Sequence, residues 1–261
     1  MQDLNIAFIQ FDISWHNPVA NRKALEVKIN GINSAVDLII LPEMFTTGFT
    51  MAVHKYAEQT NGATLNWMKK MAVKTKAVIT GSIIINEGEH YFNRLLWVKP
   101  DESYLHYDKR HLFRMADEHS HFAQGNKQPV FELNGWRFKP QICYDLRFPV
   151  WSRNVNLEYD VLIYIANWPA ARVLAWDTLL QARAIENLCY CIGVNRVGID
   201  GTDKRYNGHS GCFNFKGNAL NELSEKEETI YVTLSKLDLV NYRDSFPTNL
   251  DADSFNIHHL T

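Results

Sequence analysis

Val36-Asp37-Leu38-Ile39-Ile40-Leu41-Pro42-Glu43 is a short apolar run stopped by a proline. A strand with one wet face alternates apolar and polar residues, whereas a run like this one belongs to a strand covered on both faces. Working outward, strands alternate with helices on either side. Residues 4–10 read as a first strand, and Asn17 before Pro18 caps and opens a helix that runs to about Ile29 and ends at Gly31. Residues 64–76 read as a helix and 77–85 as a strand. Asn86-Glu87-Gly88 turns that strand into the alternating segment 90–98, and Asn134-Gly135 joins 130–133 to 136–143. A strand is expected over 160–166, a helix with the buried stripe Trp176, Leu180, Ala184 and Leu188, and a further strand over 190–195. The tail from 205 reads as short strands with turns at Asn207-Gly208 and Gly217-Asn218. Hairpins mixed with helical crossovers predict a layered α/β fold with a mixed sheet or a pair of sheets, not a doubly wound parallel one.

Composition narrows the class. The 261 residues suffice for one large α/β domain, and no compositional break marks a linker, so a single domain over 1–261 is expected. The formal charge of −2 and the scattered basic residues point away from nucleic acid and membrane surfaces. Residues 1–10 lack the basic flank and long apolar run of a signal peptide, and no stretch approaches the roughly 20 apolar residues of a membrane helix. Cys143, Cys189, Cys191 and Cys212 show no Cys-x-x-Cys spacing and read as reduced thiols of a cytoplasmic protein.

Three segments carry chemistry. Cys143 follows an apolar stretch and precedes an expected helix starting near Asp145. There the helix dipole would lower the thiol's pKa, and the Tyr144 N–H would be free to hold an oxyanion. Glu43 leaves the sheet at a strand's carboxyl end, where open α/β sheets bind ligands. Beside Leu41, Met44 and Phe45 it would be partly desolvated and tuned toward a working base. Lys109 ends a β-rich segment and would stabilise a thiolate and an oxyanion. Read singly, each has an ordinary alternative: a buried structural cysteine, a surface carboxylate, a solvated lysine.

Together the motifs resemble the nitrilase superfamily of carbon–nitrogen hydrolases. The matching stretches are Leu-Pro-Glu-Met-Phe (41–45), Tyr-Asp-Lys-Arg-His-Leu-Phe (107–113), Ile-Cys-Tyr-Asp-Leu-Arg-Phe-Pro (142–149), Ala-Asn-Trp-Pro (166–169) and Gln-Ala-Arg-Ala-Ile-Glu-Asn (181–187). The resemblance implies a four-layer α-β-β-α sandwich with two mixed sheets, dimerisation, and a Glu43, Lys109, Cys143 triad that needs no metal or organic cofactor. Residues 42–49 and 143–151 look most like the ω-amidase branch, which hydrolyses the terminal amide of 2-oxoglutaramate or 2-oxosuccinamate. Family members carry a second acidic residue after the lysine; Asp117 and Glu118 are the candidates, with Glu118 favoured.

A 2-oxo acid end would call for a cation, and Arg147 and Arg172 are the local candidates, each with a structural salt bridge as the alternative. Phe49, Phe113 and Trp168 would wall the pocket unless they are core. Other readings are another amidase branch acting on N-carbamoyl amines or deaminated glutathione, a zinc site built on His111, His119 and His121, a Cys-His dyad, and a non-catalytic interaction protein. The loop 114–128 is either a lid or an ordinary surface loop.

Overall fold

Asn17 caps the first helix as its place before Pro18 predicts, its side chain accepting from the Ala20 N–H at 3.1 Å. The computed structural model describes residues 2–257. The chain runs through strand β1 (Leu4–Gln10), helix α1 (Pro18–Asn30), β2 (Leu38–Ile40), the single turn α2 (Val53–Tyr56), β3 (Glu58–Gln59) and α3 (Ala63–Thr75). A meander of β4 (Val78–Glu87), β5 (His90–Val98) and β6 (Tyr104–Asp108) follows. After the short α4 (Glu118–His121), β7 (Phe131–Leu133) and β8 (Trp136–Ile142) form a hairpin. Then come α5 (Pro149–Ser152), β9 (Val161–Ile165), α6 (Val173–Glu186) and β10 (Tyr190–Val194). The tail adds β11 (Val197–Ile199), β12 (Arg205–Asn207), β13 (Gly211–Phe213), β14 (Glu228–Leu234) and α7 (Lys236–Ser245).

Two mixed sheets result. The first is ordered β14-β1-β2-β4-β5-β6, with β3 beside β4; the second is β13-β10-β9-β8-β7. Each has parallel strands at its centre, β1-β2-β4 and β8-β9-β10, and antiparallel neighbours outside them, apart from the two-residue β3, which runs parallel to β4. One apolar core lies between the sheets, joining Phe8, Ile40 and Trp97 to Phe138, Ile163 and Ile192. A second packs α1 and α3 on the outer face of the first sheet through Leu25, Met68 and Ile79, and a third packs α6 on the second through Trp176, Leu180 and Tyr164. These are the four layers α-β-β-α, because each sheet buries both faces.

Three details differ from the sequence reading. Glu87 pairs with His90, so the first hairpin turns on Gly88-Glu89, one residue later than expected. Leu188 is buried but lies past the end of α6 with φ of 47°. The tail also holds a helix, α7, where only strands were expected; the Ser235 side chain caps it by accepting from the Asp238 N–H. Arg243 of that helix donates to Asp160 at 2.8 Å and to the Tyr159 carbonyl at 2.8 Å, which docks it against the second sheet.

The loop 114–128 is tied down rather than free-standing. Glu118 is fully buried, Phe122 packs with Met44, Ile84 and Leu112, and the Gly125 N–H donates to the Lys109 carbonyl at 2.9 Å. A Cβ added at Gly125 would lie 2.0 Å from the Asp108 carbonyl oxygen, which is backbone and cannot step aside. Gly125→Ala is therefore expected to destabilise by about 3 kcal/mol, the upper end for overpacking. A urea titration reads that loss, and lower activity should accompany it because the displaced backbone carries Lys109. An unchanged midpoint would show that the loop shifts freely.

Candidate active site

Each site residue stands at the carboxyl end of a strand. Glu43 follows β2, Lys109 follows β6, Cys143 follows β8 and Asn167 follows β9. The turn after β2 is held by Ser82, whose hydroxyl accepts from the Met44 N–H at 2.9 Å. Asp145 ties two segments together. Its carboxylate accepts from the Tyr107 hydroxyl at 2.8 Å, from the His111 N–H at 2.9 Å and from the Ile142 N–H at 3.0 Å. The strand end that bears Lys109 is thereby pinned to the turn that bears Cys143.

At the centre are three buried charges. The Lys109 ammonium is 2.9 Å from Glu43 Oε1 and 2.9 and 3.0 Å from the two oxygens of Glu118. Glu118 also accepts from the Phe113 N–H at 2.6 Å. Glu43 is oriented further by the Asn93 amide at 2.7 Å and by the Asn167 N–H on its other oxygen at 2.8 Å. Buried charges cost several kcal/mol each unless paired and hydrogen-bonded, and both carboxylates meet that condition here. Burial by itself would push the Lys109 ammonium down, but Glu118 and Glu43 reverse the sign and hold it above the ordinary lysine value. Burial pushes the Glu118 carboxyl up against the opposing pull of Lys109. Asp117, the other acidic candidate, has an exposed side chain beside His119 and His121.

Cys143 departs from the expectation in two ways. No α-helix starts at Asp145: residues Cys143–Arg147 form a tight 3₁₀ turn, and the four-residue α5 begins only at Pro149. A proline disfavours helical geometry in the residue before it, and Phe148 accordingly has φ −117° and ψ 87°. Cys143 itself has φ of 46°, in the left-handed region that a non-glycine residue adopts only at some cost. The thiol's pKa, expected to fall, is instead raised well above the ordinary value. Burial is the main cause, the Glu43 charge and a hydrogen bond to Glu43 add to it, and Lys109 opposes. A thiol held this way keeps its proton more firmly than a free cysteine, and a base makes it a nucleophile. As the second residue of the turn, Tyr144 keeps its N–H free of an intrahelical partner.

A cavity of about 460 Å³ opens above this centre. Cys143, Tyr144, Lys109, Phe49, Phe113, Trp168, Arg147 and Arg172 all line it, whereas Glu43 and Glu118 lie behind Lys109. Phe49 places its ring 5.1 Å from the Lys109 ammonium. Neither arginine forms an ion pair with a carboxylate among the described residues. Arg147 stacks over Trp168 at 5.1 Å and Arg172 over Phe113 at 5.4 Å. The histidines do not converge: His111 bonds Asp145 and stacks on Phe148, while His119 and His121 flank Asp117. No group of three or more metal-ligating side chains comes together among the described residues.

Sequence reasoning passed over Asn93, Asn167, Asp145, Lys204 and Tyr206. Asn167 was legible within Ala-Asn-Trp-Pro, since an asparagine just past an apolar strand has two free polar ends. Asn93 and Lys204 carried no local signal.

A model of the carbon–nitrogen hydrolase family matches residues 5–244. The chain is 44% identical over 260 residues to the omega-amidase YafV of Escherichia coli (strain K12), covering 98% of this chain and 100% of that one. It is 32% identical to the 2-oxoglutaramate amidase of Bacillus subtilis (strain 168), covering 93% and 95%. Among solved structures, XC1258 from Xanthomonas campestris, described as a CN-hydrolase superfamily protein with an arsenic adduct in its active site, superposes with a TM-score of 0.96. It shares 44% identity and covers 99% of this chain and 100% of that one. With a family match along nearly its whole length and relatives aligned end to end, the chain belongs to the carbon–nitrogen hydrolases of the nitrilase superfamily, in the branch that holds these ω-amidases.

Proposed function

We propose that this enzyme hydrolyses the terminal amide of small 2-oxo acid ω-amides, 2-oxoglutaramate and 2-oxosuccinamate, to the 2-oxo diacid and ammonia. One observation carries the reading: a single cavity has Cys143 and Lys109 at its floor, Glu43 behind them, and at its wall two arginines without carboxylate partners among the described residues. Relatives named for this activity support it.

Glu43 takes the Cys143 proton as the sulfur attacks the amide carbon. The oxyanion is held by Lys109 and the Tyr144 N–H. The Lys109 ammonium has three N–H donors facing Glu43 and the two oxygens of Glu118, and sharing one N–H between the Glu118 oxygens frees a donor for the substrate. As the tetrahedral carbon collapses, the C–N bond breaks, Glu43 gives its proton to the departing ammonia, and a thioester remains. Water deprotonated by Glu43 adds to the thioester, the C–S bond breaks, the acid leaves, and the sulfur takes the proton back. Glu118 positions Lys109, Arg147 and Arg172 hold the substrate carboxylate, and Phe49, Phe113 and Trp168 shape the apolar wall.

The whole chain acts as one domain, in the cytoplasm, where its four cysteines stay as free thiols. It works as a homodimer.

The test is ammonia release from 2-oxoglutaramate, 2-oxosuccinamate, an N-carbamoyl amine, deaminated glutathione and a simple nitrile. A kcat/KM for the 2-oxo amides at least 100-fold above the others is the expected result. A preference for another substrate in that panel would move the enzyme to a different branch and sink this reading.

A further inference from the structure

We infer that Lys204 is a third substrate-reading cation, which with Arg147 and Arg172 forms a collar that accepts a 2-oxo acid end and refuses a 2-ammonium acid. The inference rests on the function proposed above and adds to it the residue that separates an oxo acid from the corresponding amino acid.

Lys204 lines the same cavity as the two arginines, from the loop between β11 and β12, 32 positions beyond Arg172 in the sequence. The loop is built to present it. The buried Asp200 carboxylate accepts from the Thr202 N–H at 2.8 Å, the Thr202 hydroxyl at 2.7 Å, the Lys204 N–H at 3.1 Å and the Tyr206 hydroxyl at 2.8 Å. Those four donors hold the Asp200 side chain inside the turn, and neither Asp200 nor the neighbouring Asp203 forms an ion pair with the lysine among the described residues. The Lys204 ammonium donates to the Thr202 hydroxyl at 2.9 Å, and among the described residues it pairs with no carboxylate. None of the residues lining the cavity is acidic.

Three cations exceed what one carboxylate requires. A 2-oxo acid end offers two neighbouring acceptors, the carboxylate and the oxo oxygen. An arginine fork suits the first and a lysine, as a compact donor, suits the second. A 2-amino acid amide puts an ammonium where that oxo oxygen would lie, facing the like charge of Lys204, Arg147 and Arg172 in a cavity with no acidic lining residue. Rejection by unfavourable charge is as effective a route to specificity as added attraction.

The experiment measures kcat and KM of wild type, Lys204→Ala, Lys204→Arg and Lys204→Glu on 2-oxoglutaramate, glutamine and butyramide. Lys204→Ala is expected to raise KM for 2-oxoglutaramate about tenfold with a much smaller change in kcat, as loss of a charged contact does. The preference for 2-oxoglutaramate over butyramide should fall by the same factor, and Lys204→Arg should restore most of it. Lys204→Glu should narrow the preference over glutamine by about 100-fold, from both loss of one substrate and gain of the other. A melting curve for each variant separates these effects from misfolding. An unmoved KM in Lys204→Ala, with wild type still preferring 2-oxoglutaramate, overturns the role of Lys204 and leaves the proposed function standing. A wild type that turns over butyramide or glutamine as well as 2-oxoglutaramate overturns the function itself.

Discussion

Cys143→Ala should lower ammonia release from 2-oxoglutaramate by a factor on the order of 10⁴ or more, since removing a covalent nucleophile leaves only binding and oxyanion stabilisation. The melting temperature should barely move. Alanine keeps the backbone strain at φ 46° unchanged, and the substitution removes a single sulfur atom that lines the cavity, so little packing is lost. The same site sets an unusual pH dependence for the thiol. Burial and the neighbouring Glu43 raise its pKa, so the folded protein keeps the proton at pH values where a free cysteine would begin to lose it. Alkylation of Cys143 by iodoacetamide should therefore keep accelerating beyond pH 9, where an ordinary thiol of pKa about 8.5 levels off. Turnover at neutral pH should nonetheless be fast, because Glu43 removes the proton within the complex. A plateau in alkylation below pH 8 would mean that the thiolate is already formed at rest. Glu43 would then have no proton to take in the first step.

How much of this was legible in the sequence depends on how local the cause is. Asn17-Pro18, the apolar run at Leu38–Ile40 and Asn134-Gly135 each act through neighbouring residues, and the elements formed where those signals stand. Asn134 and Gly135 adopt φ of 51° and 77°, the left-handed pair that a tight hairpin turn demands. The helix expected at Asp145 does not form for a local reason: Pro149 lies too close for a helix to extend. Helix α7 was missed because its stabilisation is remote, through Arg243 on Asp160. The candidate site divides in the same way. Glu43, Lys109 and Cys143 were picked out because strand ends and motif order marked them. Their proximity depends on Asp145 linking Tyr107 to the Cys143 turn, a contact spanning 38 residues that no local pattern encodes. Lys204 is the clearest case, an ordinary-looking lysine whose meaning arises only where three distant loops meet.

Lys109→Met should both stop the reaction and destabilise the fold, and the two losses have separable causes. Catalysis loses the ammonium that holds the oxyanion, worth about 10²- to 10³-fold in turnover by comparison with other oxyanion donors. Stability falls because Glu43 and Glu118, each 0% exposed, are left buried without a cation between them. Removing one partner of a buried ionic network costs about 3–5 kcal/mol. The pH dependence identifies the cause. Burial already raises the Glu118 pKa above its ordinary 4.5, and Lys109 opposes that rise, so the substitution drives it further up. A carboxyl whose folded pKa is raised contributes stability in full below its unfolded pKa and loses it as pH climbs through the folded one. The deficit of Lys109→Met, measured by urea unfolding, should thus be small near pH 5 and large at pH 8. Adding Glu118→Gln should recover much of the stability at pH 8 without recovering activity, a coupling expected only of residues that share one network. A deficit of the same size at both pH values would point to lost packing of the lysine stem instead, and the double variant would then regain nothing.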